Sequence, residues 1–119
     1  MREIKFSLVF RDMWQSAGKY VPRVDQLTAI APHIIEMGCF ARVETNGGGF
    51  EQVNLLFGEN PNKAVREWTK PFNEAGIQTH MLDRGLNGIR MSPVPADVRK
   101  LFYKVKKAQG TDIDRKSVV

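Results

Sequence analysis

Three short β-prone segments begin at Ile4, Ala41 and Gln78, so that successive starts lie 37 residues apart. Residues 4–10 (IKFSLVF), 41–45 (ARVET) and 78–82 (QTHML) read as strands, the first mostly apolar and expected to be buried. Helical patterns fill the intervals. Asp25 caps the first, in which Leu27, Ile30, Ala31, Ile34 and Ile35 recur at helical spacing until Gly38 ends it. Asn60 before Pro61 starts the second, with Ala64, Val65, Trp68, Phe72 and Ala75 on its apolar face and Gly76 at its end. Pro71 is expected to bend or split that helix. Pro95 opens the third, Val98, Leu101, Phe102 and Val105 are expected to line its buried side, and Gly110 closes it. A fourth strand would begin at Thr111.

A β-α-β-α-β-α order with a constant period argues for right-handed βα units and a parallel sheet. The fold class is therefore α/β, in one domain over residues 1–119. An eight-stranded βα barrel needs about 250 residues, so the pattern matches its first three or so units. A complete small α/β domain is the competing architecture. Apolar residues make up 42% of the chain, enough for a real core, and no apolar run approaches the roughly 18 residues of a membrane span. The first ten residues lack a small-residue cleavage site behind their apolar stretch, which favours the cytoplasm. The single cysteine, Cys39, can form neither an internal disulfide nor a zinc site alone, and a buried structural thiol is expected.

The formal charge is +5, concentrated in residues 99–107 (RKLFYKVKK). That stretch reads as a solvated helix face, and no nucleic-acid partner is expected, because basic and aromatic residues are not interleaved elsewhere. His33, at the edge of a helix face, and His80, inside a strand, are expected to be packed rather than ligating.

Parallel α/β folds gather chemistry where strands end at their carboxyl side. Here the three strands run out into Arg11-Asp12-Met13-Trp14-Gln15-Ser16, into Glu44-Thr45-Asn46 followed by Gly47-Gly48-Gly49, and into Asp83-Arg84-Gly85. Arg11 and Arg84 stand at equivalent strand ends, which suits a forked clamp on a carboxylate. The three glycines are not followed by Gly-Lys-Ser/Thr, which excludes a P-loop; a tight turn or close backbone approach is the better reading.

RDMWQS resembles the Arg-Asp-x-x-Gln-Ser signature of the carboxyltransferase domain of biotin-dependent enzymes. These are pyruvate carboxylase, the oxaloacetate decarboxylase α subunit and the transcarboxylase large subunit. The stretch 43–67, with its Gly-Gly and with Glu59, Pro61 and Arg66, and the stretch THMLDRGLNGIR resemble two further elements of that family in the same order. Arg-Asp-x-x-Gln also echoes the wider group of metal-dependent Claisen and lyase barrels.

The biotin-dependent resemblance implies a TIM barrel that exchanges CO2 between carboxybiotin and pyruvate or oxaloacetate. It implies Asp12 as a ligand of a divalent metal (zinc, manganese or cobalt), Arg11 and Gln15 as catalytic and substrate-binding residues, and Arg84 as the partner of the substrate carboxylate. A biotin carboxyl carrier protein or domain is the implied partner, and the intact family is expected to be homo-oligomeric. Many relatives carry Tyr where Met91 stands and Leu where Asp83 stands. The family's carbamylated lysine, His-x-His pair and proton-moving threonine come from later strands, and residues 114–119 depart from its pattern. The expectation is a fragment, truncated after the third βα unit, that binds neither metal nor carboxybiotin stably and is inactive alone. A stand-alone module binding an organic acid without catalysis is the alternative.

Overall fold

Four strands form one all-parallel sheet in the order β1-β2-β3-β4: β1 (Phe6–Val9), β2 (Phe40–Asn46), β3 (Gln78–Asp83) and β4 (Ile113–Lys116). The structure is a computed structural model that describes residues 2–11, 22–84, 87 and 92–116. Four helices alternate with the strands: α1 (Val24–Glu36), α2 (Gly48–Leu56), α3 (Pro61–Glu74) and α4 (Ala96–Ala108). Each connection joins adjacent parallel strands, and such crossovers are right-handed, so the crossover helices lie on one face of the sheet. The opposite face carries no described helix.

Local chemistry explains the helices. Asn60 caps α3 by accepting from the Asn62 backbone N–H at 2.9 Å, and Pro61 sits where a missing donor costs nothing. The core lies between α1, α3 and β2, where Leu27, Ala31 and Ile34 meet Val43, Val65, Trp68 and Phe72. Trp68 is its centre. Its ring stands edge-on to Phe72 at 4.9 Å and 5.7 Å from Phe10, and its indole N–H donates to the Thr45 carbonyl at 3.1 Å.

Several expectations need correction. The fourth strand expected from Thr111 is present at Ile113–Lys116, whereas α2 begins inside the glycine run at Gly48, where the sequence reads as a tight turn. β1 is an edge strand rather than a buried one: Phe6 is 58% and Val9 52% exposed. Pro71 neither splits nor ends α3, because it removes only one donor near the last turn of a helix whose buried face is already fixed by Trp68 and Phe72. Val98, Leu101 and Val105 are exposed along an open groove of about 300 Å³ shared with Pro61 and Asn62. The α4 residues that reach inward are Lys106, which pairs with Glu51 of α2 at 3.1 Å, and Tyr103. Residues 99–107 are thus not wholly a solvated face. Cys39 is exposed, as it follows Gly38 (φ +67°) outside the core. No helix among the described residues is long and apolar enough to cross a membrane.

Replacing Trp68 by Ala should lower unfolding free energy by about 3–5 kcal/mol, since both a large buried volume and a partner for the Thr45 carbonyl are lost. Urea titration followed by circular dichroism measures this, and a loss below about 1 kcal/mol would contradict the assigned centre.

Candidate functional site

Alternation along the strands separates their side chains into two sets. Val43 packs among the helices, so Glu44, its neighbour in sequence, points to the open face. Glu44 pairs in register with Val9 on one side and His80 on the other. Although it faces the open side, its carboxylate is fully buried by the side chains that converge on it.

Three groups meet Glu44. Arg11, itself buried just beyond β1, donates from Nε to Oε1 and from its backbone N–H to the Glu44 carbonyl at 3.2 Å. Arg115 of β4, about half exposed, donates from Nη2 to Oε2 at 2.9 Å. His80 Nδ1 lies 3.8 Å from Oε2, and its Nε2 shares a 3.1 Å hydrogen bond with the Ser7 hydroxyl. One carboxylate against two guanidiniums leaves a surplus positive charge when the imidazole is neutral. Burial pushes the His80 imidazole below its ordinary value; the Glu44 carboxylate opposes this, while Arg115, Arg42 and Arg11 reinforce it.

Gly47 has a specific role beside this cluster. A Cβ there would lie 2.5 Å from Arg11 Cδ and 3.5 Å from the Leu82 carbonyl oxygen. The first residue of the glycine run therefore lets the Arg11 stem cross the end of β2.

Of the residues singled out from the sequence, Arg11 is held against Glu44, and Arg84 is exposed one residue past β3, where its carbonyl accepts from the Asn87 N–H at 3.1 Å. Asp12, Trp14, Gln15, Ser16 and Met91 lie outside the described residues. Asp83 turns away from the open face toward α4 and accepts from the Tyr103 hydroxyl. Burial, followed by the Asp83 hydrogen bond and charge, pushes that phenol up to about 12. His80 is packed and hydrogen-bonded, as expected, whereas His33 is exposed in the last turn of α1. Glu44, His80 and Arg115 form the cluster that sequence reasoning missed. The available signal was the alternation that sets Glu44 on the face opposite its apolar neighbour Val43.

The described residues do not fit a divalent metal. Among them no group of three or more His, Cys, Asp or Glu is placed to hold one, and Glu44 is occupied by guanidinium groups. An open cleft of about 580 Å³ lies at the starts of α1 and α3, lined by Arg23, Glu59, Asn60 and Lys63 among others; it includes no member of the Glu44 cluster.

No family profile and no curated protein matches the sequence. A solved structure does match the fold: the carboxyl transferase domain of Rhizobium etli pyruvate carboxylase, a tyrosine-to-alanine variant with pyruvate. The TM-score is 0.79 at 21% identity, over 98% of this chain and 20% of that one. The chain thus spans about one fifth of the length of that neighbour. The four parallel strands and the helices between them have the α/β fold of part of a TIM-barrel carboxyl transferase domain.

His80 gives a pH signature. Its folded pKa is depressed, so its contribution to stability is full above the unfolded value of 6.5 and is lost as pH falls through the folded value. Denaturant midpoints of the wild type should therefore fall between about pH 7 and pH 5 more steeply than those of His80→Gln. Parallel pH profiles would contradict the assignment.

Proposed function

We propose that this chain forms the opening part of a carboxyltransferase site of the biotin-dependent kind, binding pyruvate or oxaloacetate at the carboxyl ends of its strands. The observation that carries the reading is the fold correspondence over 98% of the chain with a carboxyl transferase domain that was solved with pyruvate. The strand-end residues supply the matching chemistry. Arg84 offers a forked donor pair to a carboxylate, and the surplus charge of the Arg11–Glu44–Arg115 cluster favours an anion nearby.

In this reading Arg11 and Gln15 orient the keto acid or its enolate, and Arg84 holds the substrate carboxylate. Asp12 would be one ligand of the divalent metal, and the remaining ligands would come from elsewhere in a complete site. The metal, when bound there, would stabilise enolate charge. Carboxybiotin is delivered by a carrier protein or domain. One carboxylate does not hold a catalytic metal well, so the 119-residue chain binds substrate without appreciable turnover. The cytoplasm and assembly into a homo-oligomer belong to the same proposal.

A second reading, an α/β module that holds an organic acid and performs no chemistry, is favoured by one observation. Arg11 and Arg115 are already tied to Glu44 in an ion cluster of the kind that fixes structure. Adding carboxybiotin to a reconstituted complete barrel separates the two readings: pyruvate carboxylation supports the first, and binding without turnover supports the second.

Pyruvate titrated into the chain by calorimetry should bind, and Arg84→Lys should weaken it about tenfold, about 1.4 kcal/mol, because a point charge replaces a planar fork. Equal affinity of the two proteins would remove Arg84 from the carboxylate site.

A further inference from the structure

The sheet is half of something geometrically complete. Its four strands are parallel and in sequential order, its crossover helices share one face, and among the described residues β1 pairs only with β2 and β4 only with β3. We propose that two copies of the 119-residue chain associate about a twofold axis parallel to the strands, β4 of each beside β1 of the other, and close an eight-stranded parallel barrel. This goes beyond the carboxyl-transfer reading and does not depend on it.

A second copy meets the geometric requirements of closure. A twofold along the strand direction preserves that direction, so both new seams are parallel, like the three existing ones. It pairs both open edges of both copies at once, whereas an added single strand leaves edges behind. Four and four make eight strands, the number at which side chains alone fill the interior of a closed parallel barrel.

The side chains agree with that placement. Phe10 packs on Trp68, so Phe6 and Leu8 share the helix-bearing side of β1, while Ser7 and Val9 share the open side with Glu44 and His80. β1 thus exposes large apolar groups on both faces, Phe6 on one and Val9 on the other, without the inward charge or proline that guards solitary edges. Closure places Val9 inside the barrel, in the layer of the Glu44 carboxylate and beside its guanidinium partners.

The test is the mass in solution by light scattering after gel filtration. The expected result is a discrete particle of twice 13.5 kDa. Val9→Lys should return it to a single chain with unchanged circular dichroism, because the lysine is solvated in one copy and buried in the barrel. Seam geometry is read in a Cys39→Ser background with a short bis-maleimide. Phe6→Cys chains mixed with Asp114→Cys chains should cross-link, since both positions lie on the helix-bearing side of the seam, and Phe6→Cys chains alone should not. A monodisperse single chain, a polydisperse aggregate, a dimer indifferent to Val9→Lys, or cross-linking of Phe6→Cys chains to each other would each overturn the proposal.

Discussion

A carboxylate buried in the second strand sets the terms for everything around it. Glu44 has no solvent, so an unpaired charge there would cost several kcal/mol, and the chain must bring cations to it. Arg11 arrives from the end of β1 and Arg115 from β4, two strands away across the face of β3. The order and register of the sheet bring both to the same carboxylate. A buried ion cluster contributes little net stability compared with apolar packing, but it penalises every arrangement that separates its members. Here it ties β4 and the end of β1 to β2, on the face opposite the apolar core between α1, α3 and β2.

The same constraint shapes the carboxyl-end rim. Arg11 is a rim residue by position, yet its side chain is drawn along the open face to Glu44, and Gly47 is small because that stem passes over it. Arg84, at the corresponding end of β3, keeps an exposed side chain. Two arginines equivalent along the chain thus differ in surroundings. One is buried against Glu44, and the other has an exposed side chain.

The sequence carried the architecture further than it carried the site. A 37-residue period and capped helices were enough for parallel βα units, because each signal is local. The start of β4 was legible near Thr111, but its continuation through Asp-Arg-Lys has the composition of a polar tail; α2 was hidden because its first two residues are glycines. The solvent-facing stripe of α4 was misjudged since helical spacing identifies an apolar face without saying what covers it. The Glu44 cluster joins residues 33 and 71 positions apart, and such a contact becomes visible only once strand register is known. Arg115 in particular looked like part of a divergent end and proves to be a member of the central ion cluster.

The strand alignment depends on Arg11 and Glu44 meeting in the folded protein. A double-mutant cycle of Arg11→Met and Glu44→Gln, read by urea unfolding, measures that contact directly. The structure predicts a coupling energy of about 2–3 kcal/mol, with the double variant less destabilised than the two single losses combined. Losses that add to within about 0.5 kcal/mol would mean that the two side chains do not share a site, and the strand alignment built around them would be wrong.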